Sequence, residues 1–239
     1  MRQWEVCAKP TVACPNRIGE VASSCRRHGS RLLVDAYHAL NVVPFSLEDL
    51  GDAFVVGGGY KYCQLGEGNC FLRIPPNTDL RPVVTGWYSE FTVLADRRRE
   101  ERVAYGSGGD RFAGSTYDPT SHYRAVPVFD FFRAQGLTSE LLRTVSQHQI
   151  GVIASAFDAL DLDPRRLSRD RACPLDEVGG FLALRSPSAG ALVGNLRTRG
   201  VWTDARGEVL RLGPAPYLSD RQLRDAIGLL GEAARTTPA

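Results

Sequence analysis

The sequence predicts an α/β protein. Three observations carry this: a helix-like segment leads into a short apolar run ending in a carboxylate, a second apolar run ends in three glycines, and the tail alternates helices with short strands. Ile18 to Gly29 reads as the first helix, with Val21, Ala22 and Cys25 on one side and Gly29 as its stop. Arg31 to Asp35 (RLLVD) reads as a buried parallel strand with Asp35 at its C-terminal end. Phe54 to Val56 is a second such strand, running into Gly57, Gly58 and Gly59, and Cys70 to Ile74 (CFLRI) is a third. In sheets of this kind, ligands sit at the carboxyl ends of the strands.

Further along, Arg124 to Gln135 has a helical pattern broken near Pro127. Thr138 N-caps a long helix, with Glu140 in its first turn and Leu141, Leu142, Val145, Ile150 and Ile153 as apolar positions. Asp161 to Cys173 is polar and reads as a loop. A strand (Gly180 to Arg185), a helix (Ala189 to Arg199), two paired strand segments (Val201 to Asp204 and Val209 to Leu212) and a last helix (Asp220 to Ala234) follow. This tail is a compact α+β unit. The expected division is residues 1–137 and 138–239, with the boundary near Thr138.

The 239 residues suffice for one large domain or two small ones, and 43% hydrophobic with 23% charged residues describes a globular chain rather than a disordered one. A formal net charge of +2 gives no reason to expect nucleic acid or an anionic membrane as partner. The one basic run, Arg97 to Arg99, continues into Glu100 and Glu101 and reads as a solvated stretch. No segment is long and apolar enough to cross a bilayer, and Met1 to Pro15 lacks the apolar core of a secretory signal, so the expected location is the cytoplasm. Cys7, Cys14, Cys25, Cys63, Cys70 and Cys173 form no C-x-x-C pair, which argues against zinc, and His28, His122 and His148 have no metal-ligand spacing.

The chemistry concentrates in two segments. Val34-Asp35-Ala36-Tyr37-His38 is a strand ending in Asp-x-x-His, and Gly57-Gly58-Gly59-Tyr60-Lys61-Tyr62 is a strand leading to a lysine. Neighbouring parallel strands would place Asp35 and Lys61 at one sheet edge, beside one small ligand. The three glycines lack Walker A spacing and read as tight backbone packing. Taken singly, Lys61 has a plainer reading as a surface lysine, Asp35 as a turn residue and Arg211 as half of a structural ion pair.

The segments together resemble the kynureninase and class V aminotransferase group of fold-type I pyridoxal-phosphate (PLP) enzymes. That resemblance implies the type I α/β fold: the later part of the PLP-binding large domain, then the small C-terminal domain. It implies that Lys61 bonds to the cofactor, that Asp35 contacts the pyridine nitrogen, and that His38 lies close to ring and phosphate. It implies further that Tyr60 touches the phosphate. Gly86-Trp87-Tyr88 is similar to the group's Gly-Trp-aromatic segment, which implies a place for Trp87 at the phosphate site. Leu210 to Tyr217 (LRLGPAPY) resembles its Arg-x-x-Pro-x-Pro segment, which implies that Arg211 grips the substrate α-carboxylate. The resemblance spans about Ile18 to Ala234 and implies a homodimer with cofactor sites at the subunit interface.

The sequence departs from the pattern in three places. Members of the group are longer at the N-terminus, and Met1 to Arg17 resembles none of the phosphate-binding part expected there. Ser115-Thr116-Tyr117-Asp118-Pro119-Thr120 replaces the Asn-Pro-Pro segment of kynureninases, and Thr116 matches the phosphate-contacting threonine that other class V members take from the partner subunit. Cys63-Gln64 stands where kynureninases have Leu-Asn. The leading expectation is a kynureninase-like hydrolase that cleaves Cβ–Cγ of an L-kynurenine-type amino acid. The alternatives are a class V aminotransferase or cysteine desulfurase, and a truncated, non-catalytic chain.

Overall fold

A computed structural model describes residues 2–5, 18–95 and 103–237. The basic run at Arg97 to Arg99 and the cysteines at 7 and 14 lie outside the described residues.

Two sheets organise the chain. The first has the order β1 (Arg2–Glu5), β2 (Leu32–Asp35), β3 (Phe54–Gly58), β4 (Cys70–Arg73). β1, β2 and β3 run parallel, and β4 pairs antiparallel with β3 at the edge. Helix α1 (Ile18–Arg27) and the single turn α2 (Leu47–Leu50) accompany it. The core under this sheet gathers Ala22, Leu32, Val34, Leu50, Ala53 and Val55, each 7% exposed or less. Leu32 and Val34 point into it while the residues between do not fully bury, the period-two signature of a strand.

β1 falls where the sequence shows no element. A four-residue edge strand carries almost no hydrophobic pattern of its own; it forms because β2 offers an unpaired row of backbone groups.

The second sheet is antiparallel, with order β5 (Ser168–Arg169), β6 (Leu182–Arg185), β8 (Val209–Leu212), β7 (Asp204–Arg206). Helices α4 (Ser139–Asp158), α5 (Ala189–Thr198) and α6 (Asp220–Thr236) cover it. Leu184, Leu210, Leu196, Leu192 and Leu230 form the centre of this larger core. Thr138 caps α4 by accepting from the Leu141 amide at 3.2 Å, as the sequence indicates. Ser219 and Gln222 form a capping box at the start of α6.

α3 (Thr120–Ala134) links the two halves and corrects the expectation of a break near Pro127: the helix runs straight through. Proline removes one amide and leaves the carbonyl four residues back, that of Tyr123, unmatched. Tyr123 is 76% exposed, so that turn faces solvent, where water can satisfy the carbonyl. The polar stretch from Asp161 to Cys173 contains β5, and the strand expected at Val201 to Asp204 instead covers Asp204 to Arg206.

Candidate active site

β2 and β3 are parallel neighbours, with Asp35 opposite Val56, so both deliver their carboxyl ends to one edge. Asp35 ends β2 and accepts from the Tyr37 amide at 3.0 Å. Lys61 follows β3 by three residues. The glycines between explain themselves by packing. A Cβ on Gly57 would lie 2.9 Å from both Leu40 and Phe71, one on Gly58 would lie 2.6 Å from the Tyr37 ring, and one on Gly59 would overlap the buried Leu65. The run is a close-packed strand end, as the absence of Walker spacing indicates.

The turn carrying Lys61 is pinned from elsewhere in the chain. Arg124 of α3 donates from Nε to the Leu65 carbonyl at 2.6 Å and from Nη2 to the Glu67 carbonyl. Ser121 donates to the Gly68 carbonyl at 3.2 Å, and Asn41 to the Tyr62 carbonyl at 3.3 Å. Gln64 has φ 56°, in the left-handed region. Asparagine adopts that region more readily than glutamine.

A cleft of about 830 Å³ lies between the two halves, within the size range of small-molecule sites. Lys61 and His38 line it from the first half; Phe181, Trp202, Asp204 and Arg211 line it from the second. Phe131, Phe132, Leu137 and Leu142 make much of the remaining wall apolar. The segment Gly213 to Tyr217 also lines it. Gln149, 2% exposed in the middle of α4, holds that segment by donating to the carbonyls of Ala215 at 2.9 Å and Leu218 at 3.1 Å.

Lys61 Nζ lies 2.6 Å from His38 Nε2. Burial and the positive charges of Arg211 and Arg206 push the Lys61 amine below its ordinary value, against the opposing pull of Asp35 and Asp204. Burial, then Lys61, then Arg211 push His38 down to about 4, opposed by Asp35. His38 is therefore a neutral acceptor and Lys61 the donor. Edge-on contact with Phe181, ring centroids 5.8 Å apart, completes its setting.

The depressed His38 value gives a pH dependence with a definite sign. Unfolded histidine titrates near 6.5 and folded His38 near 4. Between those values the unfolded chain binds the extra proton, so this contribution to stability is present above pH 6.5 and is lost as pH falls towards 4. His38→Asn, which keeps a polar side chain without titrating, is expected to flatten the fall of Tm across that window. An unchanged slope would place the acid sensitivity elsewhere.

Arg211 sits on β8 with a side chain 18% exposed. Its Nη2 donates to Asp204 Oδ2, and its guanidinium lies 5.4 Å from the Phe181 ring centroid. The structure thus brings Lys61, His38 and Arg211 to one cleft, with Asp35 acting electrostatically on the first two. Tyr60, 37% exposed, does not line the cleft; its ring packs on Tyr37 at 5.6 Å. Trp87 and Thr116 also lie away from it within this chain. Trp87 begins a 3-10 turn and stacks edge-on with Tyr88 at 5.3 Å, and Thr116 is exposed. Arg124, Asn41, Gln149, Phe181 and Asp204 are site-building residues that the sequence did not reveal.

The described cysteines, Cys25, Cys63, Cys70 and Cys173, form no disulfide with one another, and none lines the cleft. Burial pushes the Cys63 thiol up to about 11. It is protonated at neutral pH, the wrong form for a sulfur nucleophile.

No family model matches the sequence. An uncharacterized aminotransferase, YcbU of Bacillus subtilis (strain 168), is 24% identical over 212 residues, 88% of this chain and 53% of that protein. Kynureninase of Xanthomonas campestris pv. campestris (strain B100) is 34% identical over 74 residues, 30% of this chain and 18% of that protein. Among solved structures, a cysteine desulfurase from Thermococcus onnurineus NA1 superposes with TM-score 0.79 at 13% identity, covering 98% of this chain and 60% of that one. SPT with PLP internal aldimine gives TM-score 0.64 at 15% identity, covering 98% and 54%. The chain spans about half the length of the aminotransferase that it matches along most of its own length.

The chain therefore has the α/β fold of PLP-dependent transferase structures. Of these, the SPT structure is the one described with a PLP internal aldimine; the others are described as an aminotransferase and a cysteine desulfurase.

Proposed function

We propose that this chain forms the cofactor and substrate site of a PLP-dependent enzyme that transfers the amino group of an L-amino acid. The observation that carries the reading is one cleft presenting Lys61 and Arg211 together, with Asp35 at the adjoining strand end. The residues present fit the cofactor. An amine whose hold on its proton is weakened by burial can bond to an aldehyde more readily. The Asp35 carboxylate would pair with a protonated ring nitrogen. Bound PLP would supply the electron sink that makes the α-carbon acidic.

The chain's own residues supply the rest. Arg211 binds the α-carboxylate and fixes the substrate's orientation. Lys61, free again once substrate has taken its place, accepts the α-proton at Nζ. His38 keeps that amine aimed by accepting its hydrogen bond. The apolar walls of the cleft exclude water and suit a bulky side chain. Amine transfer is favoured over desulfuration because no described cysteine lines the cleft and the Cys63 thiol is protonated.

A second reading, the Cβ–Cγ hydrolysis of a kynurenine-type substrate, draws on the short kynureninase match and the aromatic lining. Both readings place the enzyme in a homodimer. Phe71, Leu72, Val83, Val84, Trp87 and Phe91 are exposed apolar side chains in the first half, which a second copy would cover. Trp87 and Thr116 would then serve the partner's site, which accounts for their distance from this chain's own cleft.

The test is an assay of PLP-loaded protein with bulky apolar L-amino acids and a keto acid, beside L-kynurenine and L-cysteine. Amine appearing on the keto acid supports the first reading. Release of anthranilate from kynurenine without amine transfer selects the second, and sulfide from cysteine contradicts both.

A further inference from the structure

Among the described residues lining the cleft, Asp204 is the one carboxylate. The register of the β7–β8 pair sets Asp204 directly opposite Arg211, so the sheet itself brings the two side chains together. Asp204 is held on both sides: Oδ2 accepts from Arg211 Nη2, and Oδ1 accepts from Arg206 Nη1 at 3.2 Å.

A guanidinium offers five N–H donors in a planar fork, and Asp204 engages only one of its nitrogens. The remaining donors stay available to a second carboxylate. Without an anchor, a long arginine side chain would sample many rotamers and lose that freedom on each binding event. Here the Phe181 ring at 5.4 Å lies against the guanidinium, and Asp204 fixes its rotation from the side. Arg206 in turn keeps Asp204 from following a departing guanidinium.

We propose that Asp204, braced by Arg206, is a positioning residue that holds the Arg211 guanidinium in the orientation needed to grip a substrate carboxylate. The proposal rests on the reading of Arg211 as the carboxylate grip. It differs from a competing role for Asp204, in which the carboxylate merely occupies Arg211 in the free site and must leave before substrate binds. The two roles predict opposite signs.

The experiment is calorimetric titration of the PLP-loaded full chain with hydrocinnamate, whose phenyl group suits the apolar wall, and with hydrocinnamyl alcohol, which lacks the carboxylate. Wild type, Asp204→Ala, Asp204→Asn and Arg211→Ala are compared. The expected result is that Asp204→Ala weakens hydrocinnamate about tenfold and Asp204→Asn, which keeps an acceptor oxygen, about threefold, with the alcohol bound equally by all. Unchanged or tighter hydrocinnamate binding in Asp204→Ala overturns the proposal, tighter binding being the competitor's signature. Equal loss of acid and alcohol overturns it too, because that is the mark of a collapsed cleft. Hydrocinnamate affinity that survives Arg211→Ala overturns the grip reading itself, and is distinguishable because the fault then lies at Arg211 and not at Asp204.

Discussion

Arg211→Ala is expected to weaken amino-acid binding to the PLP-loaded protein roughly 30- to 1,000-fold, the equivalent of about 2–4 kcal/mol. The size follows from the setting. The Arg211 side chain is only 18% exposed, so a carboxylate bound there is largely withdrawn from water and depends on its partner. Truncation removes the fork of donors and leaves the Asp204 carboxylate, paired with Arg206 alone, lining the cleft where the substrate's own acid must sit. Arg211→Lys is expected to recover only part of the loss, because an ammonium supplies the charge without the planar fork. The measurement is a spectral titration with substrate alongside steady-state kinetics. A rise in Kd and KM with cofactor retention intact supports the grip, whereas a loss confined to cofactor retention or to kcat contradicts it.

Much of the architecture is legible in the sequence because local signals and tertiary packing agree. The Leu32 to Asp35 run, the Phe54 to Gly58 run and the helix capped by Thr138 each combine a hydrophobic pattern with a matching boundary residue. β1 carries no such pattern, since its stability comes from β2 rather than from its own four residues. β7 is displaced from the expected Val201 to Asp204 because the turn fixes the register. Gly207, at φ 56°, begins a tight connection that sets Arg206 opposite Val209, and pairing proceeds from there. The continuity of α3 through Pro127 escapes a local reading because it depends on that turn facing solvent.

The site divides in the same way. The placement of Asp35 and Lys61 at neighbouring strand ends is legible because their spacing from those ends is a sequence property, whereas His38 and Arg211 are marked by the resemblance alone. Asp204 is not legible, because its role follows from β7–β8 register and the sequence reading placed that strand three residues early. Gln149 and Arg124 lie on helices and act on backbone carbonyls distant in sequence, so nothing local marks them. Trp87 and Thr116 show the opposite case: motif resemblance marks them for the cofactor, and within one chain the fold sets them elsewhere. The homodimer proposed above reconciles the two.

Loss of Lys61 has the largest expected effect, since among the described residues it is the one lysine that lines the cleft. The direct measurement is incubation with PLP, borohydride reduction and mass mapping of the peptides, with Lys61→Ala beside the wild type. The expected result is a visible absorbance band that disappears on reduction, a cofactor mass fixed to the peptide carrying Lys61, and neither in Lys61→Ala. Absence of the band, a label on another lysine, or a signal that Lys61→Ala leaves unchanged would contradict it.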